Sequence, residues 1–407
     1  YIHWEKTLTP STIPAGSKCV IYDIAIDGDD NLYLVGEFQG QVNFNPELSS
    51  ILYKTSAGGS DAFMAKYDFD GNVLDVWTWG GTGNDGAMSI SIDPSNGNIY
   101  VAGYFSGTDI DLDPTSGTSL RSSKGLKDCF LIAFDSTDSF LYSRAWGGTG
   151  NDVANGVTSN ILVYVTGAFE GTVNLYPSGG SDVEVSNGMT DAFLSCFIAT
   201  TGTYLWGHSW GGAGEDEGQS VAFDALSNCY VTGQIEDVDI DFNPDPGEQD
   251  IHDAFVIDAY LISFNSSGGY RFGFNWGNGF EKGRDVIVSE NGYVYVTGQA
   301  DRHLNDLDFD PGPGVYEVLG SGAFVSRFDT SGNFFWARVI GKDTAPKIAI
   351  GNGLAVGEDD SIYMAGAFSG ADIEFAPIQF CSNDSFMLTS EGDYDLFAVK
   401  YRSDGCW

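Results

Sequence analysis

Positive charge is scarce in this sequence: 18 Lys and Arg stand against 57 Asp and Glu over 407 residues, a formal net charge of −39. Nucleic acids are bound through clustered cations, so that shortage excludes a nucleic-acid binder. It also argues against docking on an anionic membrane surface. Long apolar runs are missing, and none approaches the ~18 residues that a membrane-spanning helix needs. Histidine occurs four times, scattered at His3, His208, His252 and His303, with no HExxH and no GxSxG. Zinc catalysis and a Ser-His-Asp site therefore have little support. Six cysteines (Cys19, Cys129, Cys196, Cys229, Cys381, Cys406) include no CxxC pair, which removes zinc ribbons and thioredoxin-like motifs. Their spacing leaves disulfides and free buried thiols both open. The chain opens at Tyr1 without an initiator Met or a signal-like stretch, as expected of a mature or excised fragment.

What is abundant is turn chemistry. Gly supplies 54 residues, and Asp outnumbers Glu by 42 to 15; both favour turns over long helices. With 42% hydrophobic and 14% aromatic residues, the chain can still bury a large core, so disorder is excluded.

Internal repetition organises the whole length. A strand-like segment ending in Gly recurs at Gly36, Gly103, Gly167, Gly233, Gly298 and Gly366, at intervals of 67, 64, 66, 65 and 68. A proline follows each one: Pro46, Pro114, Pro177, Pro244, Pro311 and Pro377. An aromatic-Gly-Gly step appears at Trp79, Trp146 and Trp210, with variants at Trp276-Gly277-Asn278 and Ile340-Gly341. An Asp-aromatic start appears at Asp61, Asp128, Asp191, Asp258 and Asp395. Six units of about 66 residues account for nearly all of residues 1–407, which are read as one domain.

Each unit reads as four short strands. In the second they are Ala87 to Asp93, Asn98 to Phe105, Phe130 to Asp135 and Phe140 to Trp146. Four antiparallel strands repeated radially solve the edge-strand problem as a β-propeller does. The expectation is an all-β, six-bladed propeller of four-stranded antiparallel blades. The sixth unit stops where its fourth strand should begin, so residues 1–8 are expected to complete that last blade and close the ring.

The run WGGTGNDGAMSISIDPSNGNIYVAGYFSGTDIDLDP, with DCFLIAFDSTDSFLYSRAWGG after it, resembles the SBBP-type β-propeller repeat of secreted bacterial proteins. NDLDFDPGPG and DIDFNPDPG resemble versions in Bacteroidetes-type surface and secreted proteins. The resemblance spans all six units and is clearest in the second and third. The fifth and sixth depart from it, lacking Trp-Gly-Gly, and the fifth starts Gly322-Ala-Phe. It implies an extracellular or cell-surface propeller, often one module of a larger protein, and no defined activity.

The sharpest candidate chemistry lies in the acidic loop between the second and third strands: Asp109, Asp111 and Asp113, then Asp239, Asp241 and Asn243, then Asp306, Asp308 and Asp310. Alternate acids in an extended segment share one side, so three oxygens can converge on Ca²⁺. The competing reading is that these groups cap turns while the intervening Ile, Leu and Phe pack inward. A second acidic position follows the Gly-Gly step, at Asp85, Asp152 and Asp216. There, Asp is expected to accept backbone N–H bonds in a Gly-rich turn; a carboxylate ring holding a cation or hydroxyl-rich ligand is the alternative. Catalytic groups are normally unique in a chain, whereas these recur with the blade. The stretch Asp329 to Trp336 echoes the docking motif of quinoprotein propellers, but a hairpin turn accounts for it. The reading is a non-enzymatic extracellular binding or structural module, calcium-stabilised. Its candidate partners are other surface proteins or extracellular polysaccharide. A polysaccharide lyase or hydrolase with its site in the central funnel is the alternative.

Overall fold

A computed structural model describes residues 17–406, apart from 46–50, 302–306, 343–347, 376–386 and single positions 178, 246, 255, 278, 319 and 358. Among the described residues the regular structure is all strand: six antiparallel blade sheets follow one another in chain order, with three separate two-stranded hairpins beside them. The protein is an all-β, six-bladed propeller. Blade two is representative, with strands Gly86–Ile92, Ile99–Phe105, Asp128–Phe134 and Phe140–Trp146, within a residue or two of the sequence expectation. The last blade shows three described strands, Ile348–Val356, Ile362–Ser369 and Asp395–Tyr401. Its expected completion by residues 1–8 lies outside the described residues. Contacts divide the chain into two compact units, residues 1–186 with 193–207 and residues 187–192 with 208–407.

One irregularity recurs in every blade and explains the periodic glycine. The first strand carries a β-bulge, between Ile21 and Asp23, Ala87 and Ser89, Ala154 and Gly156, Gly218 and Ser220, Gly283 and Asp285, and Gly351 and Gly353. The residue just before the bulge pairs with the repeat glycine, as Ala87 does with Gly103. There the first-strand backbone presses into the space a side chain would need. A Cβ on Gly36 would sit 1.9 Å from the Val20 carbonyl oxygen, and one on Gly103 2.0 Å from that of Gly86. The same approach is 1.9 Å at Gly167 and Gly233, 1.8 Å at Gly298 and 2.0 Å at Gly366. The glycine is a packing requirement set by the bulge.

Blade faces meet through aromatics. The Trp ending the fourth strand lies edge-on to an aromatic of the next blade's third strand: Trp79 on Phe130 (5.8 Å) and Trp146 on Phe193 (6.2 Å) in the first unit. In the second unit Trp210 meets Tyr260 (5.9 Å) and Trp276 meets Phe324 (6.1 Å). Edge-to-face pairs add about 0.5–1.5 kcal/mol each to the area they bury. Small residues of the first strands also have a polar use. Ser89 Oγ donates to Asp23 Oδ2 (2.9 Å) and accepts from Val157 N (3.2 Å), linking three successive blades. Ser220 and Asp285 repeat the arrangement at 2.8 Å in the second unit, where Leu354 N donates to Asp285 Oδ2.

Candidate functional site

The acidic loops are held by their own backbone. Asp111 Oδ1 accepts from Asp113 N (3.1 Å) and Ser119 N (2.7 Å). Asp241 Oδ1 accepts from Asn243 N (3.0 Å) and Asp250 N (2.9 Å), and Asp308 Oδ1 from Asp310 N (3.0 Å) and Tyr316 N (2.7 Å). The next acid caps the following turn: Asp113 Oδ1 accepts from Thr115 N, Asn243 Oδ1 from Asp245 N, and Asp310 Oδ1 from Gly312 N. Asp109 and Asp239 enter the loop in the left-handed region, at φ 57° and 61°, where Asp is better tolerated than most residues. Asp306 lies outside the described residues. The apolar residues between the acids are buried, Ile110, Leu112, Ile240, Phe242, Leu307 and Phe309 alike. These contacts are those of the turn-capping reading. They also build a feature too short to read from sequence, a two-residue hairpin such as Ile110–Asp111 with Leu120–Arg121. Among the described residues no three His, Cys, Asp or Glu side chains form a metal-holding group.

The acids after the Gly-Gly step do accept backbone N–H bonds, and each has a second acid beside it. Asp85 Oδ2 accepts from Gly81 N (2.8 Å) and its Oδ1 from Ser106 N (2.8 Å) in the next blade. Asp152 takes Gly148 N and Glu170 N, and Asp216 takes Gly212 N and Glu236 N. Asp85 N donates to Ser60 O (2.7 Å), which brings the following residue, Asp61, alongside. The same bond runs from Asp152 to Lys127, Asp216 to Thr190 and Glu281 to Ile257, alongside Asp128, Asp191 and Asp258. Four acid pairs result, Asp61 with Asp85, Asp128 with Asp152, Asp191 with Asp216, and Asp258 with Glu281, all buried. Burial, opposed by the backbone N–H bonds, pushes the Asp61, Asp85 and Asp128 carboxyls up to about 6, and the Asp152 and Asp216 carboxyls up to about 7,. The fourth pair escaped the sequence reading because its step departs from Trp-Gly-Gly and uses Glu in place of Asp.

One concave site departs from the repeat. In the second unit a cavity of about 520 Å³ is lined by Asp239, Asp241, Asn243, Asp245 and Glu248 of blade four's loop, with Asp191 and Trp210 on its other wall. It thus brings together all three predicted ligands of that blade. Asp245 and Glu248 have no acidic counterpart in the loops after Asp113 or Asp310. Its lining holds no histidine, lysine or cysteine: the nearby His252 stacks on Phe242 (4.3 Å) and bonds Asn275 Oδ1 (2.9 Å). The other described histidine, His208, stacks on Phe264 and contacts Gly268 O at 2.7 Å. Asp329 sits in a hairpin turn, its Oδ1 accepting from Ser331 N and Asn333 N.

No protein-family model matches the chain. It is 22% identical over 470 residues to the uncharacterized WD repeat-containing protein L264 of Acanthamoeba polyphaga mimivirus, covering 98% of this chain and 32% of that protein. It is 28% identical over 351 residues to the regulatory protein FlaEY of Caulobacter vibrioides, covering 80% of this chain and 35% of that one. The chain therefore spans about a third of the length of these curated relatives. Among solved structures, it is similar to a quinohemoprotein alcohol dehydrogenase of Comamonas testosteroni. That match is 11% identical, covers 87% of this chain and 57% of that one, and has a TM-score of 0.43. A protein of unknown function from Bacteroides caccae is 11% identical, covering 80% and 82% of the two chains, with a TM-score of 0.35. At that level neither similarity extends to chemistry.

Proposed function

We propose that this chain is a non-enzymatic binding or scaffold propeller, built of SBBP-type repeats and working outside the cell as one module of a larger protein. The observation that carries the reading is the fate of the acids. Almost every described carboxylate that the sequence singles out is engaged in a bond that recurs from blade to blade. A recurring bond serves the architecture, and the irregular concavity of blade four's loop is lined by carboxylates, amides and the Ser209 hydroxyl, with no histidine, lysine or cysteine. Such a lining suits a cation or the hydroxyls of an extracellular polysaccharide, with surface proteins as the other partner class. Four carboxylates of the lining, Asp239, Asp241, Asp245 and Glu248, repel one another unless a cation intervenes, and such oxygen donors suit Ca²⁺. Cys406 is disulfide-bonded, a state that an oxidising exterior maintains.

Calcium is tested by thermal melts in Ca²⁺ and in EGTA, on the wild type and on an Asp239→Ala/Asp241→Ala variant. EGTA should lower the wild-type melting temperature by several degrees and leave the variant indifferent; an indifferent wild type removes calcium from the reading. Binding is tested by retention on immobilised extracellular polysaccharides, with reducing ends assayed in parallel. Retention without new reducing ends or unsaturated products supports the module. Appearance of either product would establish the lyase or hydrolase instead.

A further inference from the structure

The four buried acid pairs contain a group whose chemistry the backbone bonds do not complete. Asp61 Oδ2 accepts from Ala57 N (3.1 Å), but Asp61 Oδ1 is buried with no hydrogen-bond partner. It looks toward Asp85: from the point a Cβ of residue 80 would occupy, Asp61 Oδ1 is 2.9 Å away and Asp85 Oδ2 2.7 Å. Residue 211 stands in the same place between Asp191 Oδ1 (2.7 Å) and Asp216 Oδ2 (2.8 Å). Residue 277 does so between Asp258 Oδ1 (2.2 Å) and Glu281 Oε2 (2.8 Å). Two carboxylates facing one another in a water-excluded site cannot both stay ionised without something between them. The second acid of each pair already accepts two backbone N–H bonds, so it is the natural carboxylate. In the first pair the partner, Asp61, keeps Oδ1 unbonded and is the natural carboxylic acid.

We propose that the Asp61–Asp85 pair is a proton-binding site, in which Asp61 carries an O–H that donates to Asp85. That proton ties the third strand of blade one to the Gly-Gly step leading into blade two, and makes stability sensitive to pH. The surroundings offer little compensation. Lys124 is the cation beside the second pair, its N donating to Asp128 and its Nζ to Gly147 O (3.0 Å). Beside Asp61 the acting charge is that of Asp85, which raises its hold on a proton. Because the folded chain retains protons that the unfolded chain releases, stability should be fully present below the ordinary carboxyl range. It should be lost as pH rises through about 6,.

The test uses Asp61→Asn, because the amide N–H₂ can donate to Asp85 as the carboxylic acid does, without titrating. Melting temperatures are measured from about pH 5.5 to about pH 8 in the presence of EGTA, with Asp29→Asn as a control for lost surface charge. The wild type and Asp29→Asn should lose several degrees across that range. Asp61→Asn should fall less steeply and melt above the wild type at the alkaline end, and unfolding of the wild type near pH 6 should release protons into weakly buffered solution. Equal slopes for all three proteins, or an Asp61→Asn variant less stable than wild type throughout, would overturn the proposal. So would stabilisation at alkaline pH by an added metal ion that Asp61→Asn no longer shows, which would make the bridging species a cation.

Discussion

Gly147→Ala isolates the crowding that makes the Trp-Gly-Gly step invariant in blades one to three. Gly147 does not adopt a positive φ, so alanine is acceptable to the backbone and only space is tested. The new methyl would lie 2.4 Å from Asp128 Cγ and within 2.8 Å of both its oxygens. Asp128 is 2% exposed, has Asp152 behind it, and must turn out of its bond from Lys124 N (3.1 Å). Loss of that bond costs about 1 kcal/mol, and forcing a methyl into a packed site adds about 1–3 kcal/mol. The expected destabilisation is therefore about 2–4 kcal/mol, read as a lower urea midpoint at unchanged slope. Asp128→Ala removes the obstacle, so in its background the same alanine should be nearly neutral, a coupling of about 2–4 kcal/mol. Gly148→Ala sets the upper reference, since its methyl would meet the Thr172 carbonyl oxygen at 2.0 Å and no side chain can turn away. Additive effects of Gly147→Ala and Asp128→Ala, or a neutral Gly147→Ala, would refute the argument that the carboxyl fixes the glycine.

Asp23→Ala should cost about 1–3 kcal/mol in urea unfolding, because Asp23 Oδ2 accepts both Ser89 Oγ and Ile90 N at 2.9 Å,; Ser89→Ala should cost less, and the pair should be non-additive. Trp146→Ala should cost about 3–5 kcal/mol, because the ring is 1% exposed and packs against Phe193 and Phe197; Trp146→Phe, which keeps part of that contact, should cost distinctly less. Arg271→Leu should cost about 2 kcal/mol or more, since its guanidinium donates to Tyr230 OH, Ser263 Oγ and Thr330 O and those acceptors would be left without it; an unchanged urea midpoint would contradict the network.

The blade was legible from the sequence because its markers lie close together along the chain. Gly103 closes a strand-like segment, Pro114 follows Gly103, and Phe140 to Trp146 reads as a strand; each is a local signal. What stayed hidden depended on contacts across the sheet. Gly103 was visible as a period but not as a consequence of the bulge at Ala87 and Ser89, which brings the Gly86 carbonyl against it. Asp61 and Asp85 were visible as two separate markers. Their meeting rests on one backbone bond, Asp85 N to Ser60 O, between residues that no spacing rule connects. Glu281 was missed altogether, although Asp258 marked the other half of its pair.

The same contrast says where function should be sought. A side chain repeated in every blade is placed by the strand geometry of every blade, so its conservation within the chain is explained by folding before any ligand is considered. The acid pairs and the Asx turns are of that kind: remove them and the blades loosen. Asp245 and Glu248 are not. They extend one loop's acidity beyond what its turn requires, are exposed, and face Asp191 across a cavity that the Asp239 to Asn243 loop only partly forms. Substituting both with Ser should leave the urea midpoint within about 0.5 kcal/mol of wild type, as for exposed positions generally. If the cavity is the ligand site, the same change should abolish cation or polysaccharide binding there. A destabilised but binding-competent variant would instead place these two acids with the architecture.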